Sequence, residues 1–452
     1  MLVAEKGPIV DVLTLFSYPL HPPGKPDRLR IEHLPDIQVP TVFTHGTSDA
    51  FGTIAELKEA SDQHPHVVVL GGGYAGTMAA NRLQQHTNID ITLVNPREEF
   101  VHRLRLHQFA AGTGIATAEY APMLGKRVRL VVDSAVRIDA PARMIRLESG
   151  DVLDYDYLIY AIGSTDSTAA GVPGLSEFAY PLSEFESAQR LRVALETSGP
   201  DVQITVVGAG LTGIEMASEL ADLGRHVRLV CGGQLAPTFG APARRTIAQW
   251  FARRRVDVLE NTSVTEVRPD SVVLADGTAL SSTITVWAGG FGVPALAAHS
   301  GLSVDADGRL LTDDTLTSMD DGRIIGAGDA VTTTSLPTRM SCYTANTTGA
   351  AAADTVLSRL ADTEPAPFRL AYVGQCLSLG RGNAVLQFTR KDDSPVGAHA
   401  RGRLTAWFKE FVLTGVPWGL RREGRKPGAS VWFKSRPRPA EAAQHRAEVV
   451  QS

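Results

Sequence analysis

A chain of 452 residues is long enough for two or three domains and a sizeable core. Hydrophobic residues at 43% and charged residues at 21% mark a globular protein and exclude a disordered one. Forty-four basic against forty-nine acidic side chains leave a net charge of −5, which excludes a generally basic nucleic-acid binder.

Residues 1–62 stand outside the pattern that follows, and their apolar strand has no sheet of its own to join. The start places Glu5 before its apolar stretch and lacks a basic n-region, so it does not read as a signal peptide. From His66 the chain reads as a short apolar strand, then Gly71-Gly72-Gly73-Tyr74-Ala75-Gly76, a helix, and a second strand at Ile91–Val94. The same unit recurs 137 residues later, as Gln203–Val207, Gly208-Ala209-Gly210-Leu211-Thr212-Gly213, a helix, and Val227–Val230. One GxGxxG is weak evidence, whereas two in the same strand–turn–helix–strand setting are strong. Gly71 and Gly208 permit the tight turn, Gly73 and Gly210 let the backbone approach a pyrophosphate, and Gly76 and Gly213 allow close helix–strand packing. Each unit is followed by a predicted hairpin, around Glu148-Ser149-Gly150 and Ala275-Asp276-Gly277. Each hairpin runs into an apolar strand, Tyr157–Gly163 and Thr283–Gly290. The expected fold class is therefore α/β with two Rossmann-like domains, the second inserted in the first, and a C-terminal α+β segment. No uncharged apolar run reaches the about 18 residues a membrane helix needs.

The strand Asp321–Ala330, ending in Gly328-Asp329, resembles the second flavin fingerprint of two-dinucleotide-domain flavoproteins. Asp156–Gly163 resembles the linking motif of the same superfamily, with Ile162 in place of its threonine. Over residues of about 64–420 the order of motifs is similar to the pyridine nucleotide-disulfide oxidoreductase superfamily, in the branch of type II NADH dehydrogenases and apoptosis-inducing-factor-like enzymes. That resemblance implies noncovalent FAD, a nicotinamide donor NAD(P)H, and a small-molecule electron acceptor, with quinone favoured. Ferredoxin- or rubredoxin-type acceptors and a redox-sensing role remain alternatives. It also implies that Gly71, Gly73, Tyr74, Ala75, Gly76, Asn95, Ala161, Gly163, Gly328 and Asp329 hold FAD, with Asp329 on the ribityl chain. Gly208, Gly210 and Gly213 would hold the nicotinamide nucleotide, and Glu215 would lie near the reacting rings. Glu215 also reads as an ordinary acid complementing a helix N-terminus. The implied parts are a FAD-binding domain at 63–170 and 285–362, a nicotinamide domain at 171–284, and a C-terminal segment at 363–452. The segment from Pro337 opens the helix whose N-terminus, in that family, faces the flavin. The quinone-side glutamine usual in this segment is not evident.

Two departures bear on the nucleotides. The acid that usually follows the second strand, and takes the ribose hydroxyls, is Asn95 in the first unit and Cys231 in the second. Choice between NADH and NADPH is therefore open, with Arg225 and Arg228 either phosphate ligands or plain surface charges. Cys231, Cys342 and Cys376 are too sparse for a disulfide framework, a redox pair or a zinc site, and they fit a reducing cytoplasm. Residues 77–120 lack the cysteine pair of disulfide reductases, and Cys342 reads as an apolar filler rather than a reactive thiol. His102 and His107 have no supporting ligand, so no metal is expected.

Residues 1–60 resemble a truncated dienelactone-hydrolase-like α/β-hydrolase fragment, in which Asp49 would be the triad acid. No GxSxG nucleophile elbow occurs in the chain, so this piece is not expected to hydrolyse anything. At the other end, residues 401–438 carry ten basic side chains against two acids. Leu404, Trp407, Phe408 and Phe411 share one helical face, which suits either peripheral membrane contact or packing on the flavin domain or a second subunit as a homodimer. Pro417 is expected to cut this helix short.

Overall fold

The computed structural model describes residues 13–16, 21, 41–44, 64–166, 171–334 and 338–435. The chain divides into two units, residues 1–66 with 88–90, and all the rest. In the first unit the strands Leu13–Phe16 and Thr41–Thr44 pair in parallel, so the apolar strand there does find a partner, contrary to the sequence expectation. Asp49 lies outside the described residues.

The second unit contains two five-stranded sheets. The first runs in the order Ile324–Gly326, Tyr157–Tyr160, His66–Leu70, Asp90–Asn95, Val128–Val132. Val67, Val68 and Val69 in its central strand are fully buried, as an apolar run covered on both faces must be. The second has the order Ala179–Pro181, Ile284–Trp287, Gln203–Val207, His226–Val230, Asp257–Leu259, and every pairing in it is parallel. It is inserted between the Tyr157–Tyr160 and Ile324–Gly326 strands of the first. The strand Ile284–Trp287 belongs to this second sheet, so the return to the first begins beyond residue 284. The two crossing segments pair with each other, Thr165 with Gly292 and Asp166 with Phe291. Both expected hairpins form as antiparallel ladders, Met144–Leu147 with Val152–Asp154 and Ser271–Leu274 with Ala279–Ser281.

After the helix Cys342–Leu360 comes an antiparallel three-stranded sheet, Gly374–Leu379, Asn383–Thr389 and Pro395–Gly402. The helix Arg403–Arg425 follows. Pro417 lies inside this helix and does not end it. A proline there leaves the carbonyl four residues back, that of Leu413, without its N–H donor. His102 supplies the replacement, its Nε2 lying 3.0 Å from the Leu413 oxygen. The helix is anchored near its C-terminal end by fully buried Glu423, which accepts from Arg82 at 3.2 Å and from the Gly428 and Ser430 N–H groups at 2.7 Å each. Asn81 adds a bond of 3.0 Å to the Leu420 carbonyl.

Candidate active site

Both glycine loops open into one cleft of about 1500 Å³. The two loops are built alike. Gly71 and Gly208 have φ of +97° and +113°, which favours glycine there. A Cβ on Gly76 would sit 1.7 Å from the Gly71 carbonyl oxygen, and one on Gly213 would sit 1.9 Å from that of Gly208. A Cβ on Gly73 or Gly210 would meet nothing within 4 Å. The third glycines therefore let each helix dock on its own loop, and the middle ones leave the loop open to the cleft. Gly71, Gly73, Tyr74, Ala75, Asn95, Ala161, Gly163, Gly208, Gly210, Glu215, Gly328 and Asp329 line the cleft, whereas Gly76 and Gly213 lie beneath it.

Asn95 spends its carboxamide on the loop itself. Its Oδ1 accepts from the Gly72 N–H at 2.9 Å, and its Nδ2 donates to the Arg97 carbonyl at 2.8 Å. The Tyr74 hydroxyl accepts from the Leu104 N–H at 3.2 Å and lies 2.7 Å from His102 Nδ1. Since Nε2 must donate to the Leu413 carbonyl, Nδ1 is the acceptor, and the imidazole is the neutral tautomer. Burial favours the same state, pushing His102 down to about 4.

Asp329 is the clearest ligand-seeking group. Its Oδ2 accepts from the Ser164 hydroxyl at 2.9 Å, while its buried Oδ1 has no partner among the described residues. Burial raises its pKa, outweighing the Ser164 hydroxyl, the Arg103 charge and the Ser341 backbone, which favour the carboxylate. Arg103 braces the same wall, donating to the Ser164 carbonyl at 2.7 Å and to the Ser183 carbonyl at 2.8 Å. These features fit FAD: an orphaned acceptor for a ribityl hydroxyl, and an open glycine loop at a helix N-terminus for a pyrophosphate.

Glu215 lies deeper, 8% exposed, and is not a lone helix-end acid. Its Oε1 accepts from the Ser378 N–H at 2.9 Å and forms an ion pair with Lys409. Lys409 Nζ also donates to the Cys376 carbonyl at 3.3 Å. Burial pushes the Lys409 ammonium down to about 7, an effect that the neighbouring Glu410 charge opposes. His107 Nδ1 lies 3.8 Å from Glu215 Oε2, and its buried Nε2 has no partner among the described residues. Burial, ahead of the charges of Lys409, Arg381 and Arg105, holds His107 well below the usual histidine range.

Sequence reasoning missed Lys409 and His107. Lys409 sits in a run of ten basic residues and no count sets it apart. Its spacing does, because Thr405, Lys409, Leu413 and Leu420 form the buried stripe of the helix. The apolar residues expected to share a face do so on the outside, with Leu404, Trp407 and Phe411 exposed by 85, 70 and 65%. Arg228 and Arg225 are both committed elsewhere, the first to Asp257 at 2.8 Å, the second to Ser198 Oγ at 2.6 Å. Cys342 and Cys376 line the cleft, and burial pushes both thiols up to about 12. No group of side chains suited to a metal occurs among the described residues.

An NADH dehydrogenase-like protein of Mycobacterium tuberculosis is 29% identical over 351 residues, covering 71% of this chain and 86% of its own. A type II NADH:quinone oxidoreductase of Staphylococcus epidermidis is 32% identical over 178 residues, 34% of this chain and 43% of that one. Among solved structures, the sulfide:quinone oxidoreductase of Aquifex aeolicus superposes with a TM-score of 0.71 at 20% identity, over 80% of this chain and 93% of that one. NDH2 of Plasmodium falciparum superposes with a TM-score of 0.69 at 16% identity, over 80% of this chain and 96% of that one. Both share the fold. An alpha/beta hydrolase domain model matches residues 1–76. The pyridine nucleotide-disulphide oxidoreductase model matches residues 65–349, well over half of the chain, which therefore belongs to that family.

Proposed function

We propose that this chain is an FAD-dependent NADH oxidoreductase whose acceptor is a quinone. The observation that carries the reading is one cleft faced by two open glycine loops, with the unpartnered Asp329 Oδ1 buried in its wall. FAD, when bound, supplies the two-electron carrier between the nicotinamide and the acceptor. The protein's share is binding, orientation and proton handling. In this reading residues 63–170 and 288–362 hold FAD, 171–287 hold the nicotinamide nucleotide, and 363–435 form the acceptor side. Gly73 and Gly210 leave room for pyrophosphates at the helix N-termini, and Asp329 Oδ1 accepts from a ribityl hydroxyl. Lys409 and Glu215 form a buried ion pair at the floor of the cleft, where a quinone needs protons as it is reduced. A sulfide-linked reading has less support, because burial pushes both thiols in the cleft up to about 12, which disfavours the thiolate nucleophile. The test is optical: NADH should bleach the bound flavin and a soluble quinone should restore its colour within turnover time. A colourless protein that does not take up FAD, or a bleached one that quinone leaves bleached, contradicts it.

The quinone reading is supported by where the cleft opens. Phe408 and Val412 line the cleft and also belong to the exposed apolar face of the Arg403–Arg425 helix. Beside that face lie Arg401, Arg403 and Arg422, and basic residues near an anionic lipid surface contribute about 1 kcal/mol each, less in salt. No helix among the described residues is long and apolar enough to cross a membrane, so contact would be peripheral. Full-length protein should co-sediment with anionic vesicles at low salt. The triple variant L404D/W407D/F411D should remain in the supernatant. Equal sedimentation of the two would remove the membrane reading and leave a second copy of the chain as the candidate cover for this face.

A further inference from the structure

We infer that the nicotinamide-nucleotide end of the cleft does not discriminate a ribose 2′-hydroxyl from a 2′-phosphate, so that NADPH serves as donor alongside NADH. The inference rests on the oxidoreductase reading above and concerns the residues that follow the second strand of the second glycine unit. In folds of this kind an acid there accepts hydrogen bonds from the ribose diol and repels a phosphate.

Here the strand His226–Val230 ends in Cys231, which is 0% exposed and packed in the core, so its side chain presents nothing to a ligand. Gly232 is the first residue of this turn to line the cleft, together with Thr262 and Ser263. A Cβ on Gly232 would meet only Ser263 Oγ, at 3.6 Å, and one on Gly233 would meet nothing within 4 Å. The backbone here is fixed rather than loose, since Thr262 N–H donates to the Cys231 carbonyl at 3.0 Å and Asn261 N–H to the Gly233 carbonyl at 2.9 Å. The cleft wall at this point is thus backbone and two small hydroxyl side chains. Either form of the ribose finds space and hydrogen-bonding groups there.

The charges nearby give no sign preference. Glu260 accepts from the Leu235 N–H at 2.6 Å, and Arg244 bonds the Gln234 side chain, so one acid and one base are engaged with the same short loop. Arg228 is held by Asp257 and by the Ser281 carbonyl at 3.1 Å. Arg225 is held by the Leu195 and Gly199 carbonyls and by Ser198 Oγ. Neither arginine is free to select a phosphate, and the carboxylate beside the strand end, that of Glu260, is held by the Leu235 N–H.

The experiment compares kcat/KM for NADH and NADPH in the FAD-loaded protein, with calorimetric Kd values for ADP-ribose and its 2′-phosphate as a readout independent of turnover. Both ratios should lie within about tenfold, a difference of about 1.4 kcal/mol. A preference of more than about tenfold for either nucleotide overturns the inference while the oxidoreductase reading stands. If neither nucleotide reduces the flavin, the oxidoreductase reading itself fails and the inference goes with it. Gly232→Glu restores a carboxylate at a position with room for it, and should lower the NADPH to NADH ratio of kcat/KM at least about tenfold with flavin content retained. An unchanged ratio in that variant overturns the assignment of Gly232 as the point where selection is set.

Discussion

Gly210→Val should all but abolish reduction by NADH while leaving the flavin bound. The two halves of this expectation come from the same geometry. A Cβ at Gly210 touches no protein atom within 4 Å, so a valine there costs the fold little. Its φ of −74° and ψ of −178° are ordinary extended values that valine accepts. Gly210 makes no side-chain cap on the Leu211–Asp222 helix, so the change in helix stability should be about 1 kcal/mol at most. The added methyls point into the open side of the loop, where, in the proposed reading, the pyrophosphate approaches the helix N-terminus. Loss of that approach should slow flavin bleaching by NADH at least about a hundredfold, corresponding to about 3 kcal/mol. Stopped-flow flavin absorbance and a thermal melt measure both halves. Gly213→Val is the instructive contrast. Its Cβ would stand 1.9 Å from the Gly208 carbonyl oxygen, so that variant should fail to fold rather than fail to bind. Unaltered bleaching in Gly210→Val would remove the second glycine loop from the nicotinamide site.

Lys409→Met should destabilise the protein by about 3–5 kcal/mol, the cost of leaving one member of a buried ion pair without its partner. Glu215 would keep only the Ser378 N–H on Oε1, with His107 3.8 Å from Oε2. A surface lysine just past the end of the same helix, such as Lys426, has no such dependent and its loss should stay within about 0.5 kcal/mol. The double variant Glu215→Gln, Lys409→Met should recover much of the loss, because no uncompensated charge then remains buried. Denaturant unfolding of the wild type and the three variants with FAD bound reads this directly. Equal stability of Lys409→Met and wild type would mean that the Glu215–Lys409 pair is not formed in solution.

The two dinucleotide units were legible in the sequence because their determinants are local. A five-residue apolar strand, three glycines at fixed spacing and an amphipathic helix specify one another over about 30 residues, and the physical requirements on Gly71 and Gly76 recur at Gly208 and Gly213. The Gly-Asp ending of its strand singled out Asp329, which lines the cleft, although only the fold showed that one of its oxygens lacks a partner. The sequence misplaced the end of the second sheet and the end of the C-terminal helix. In both cases a distant residue decides. Ile284–Trp287 joins the second sheet by pairing with Gln203–Val207, about eighty positions earlier. The helix passes through Pro417 because His102, more than three hundred positions earlier, donates to the carbonyl that the proline leaves unpaired.

The floor of the cleft was not legible for the same reason. Glu215, Lys409, His107 and Ser378 come from four separate elements, and nothing local to any of them requires the others. Tertiary packing also inverted the C-terminal helix relative to its apolar pattern. Hydrophobic periodicity predicts which residues share a face, and Leu404, Trp407 and Phe411 do. It does not say which face turns inward. Here Lys409 turns inward to pair with the buried carboxylate of Glu215, and the aromatic face is left outward. Local sequence thus determined the two nucleotide loops, while the pairing of buried charges between remote segments determined the floor of the site and the exposed surface beside it.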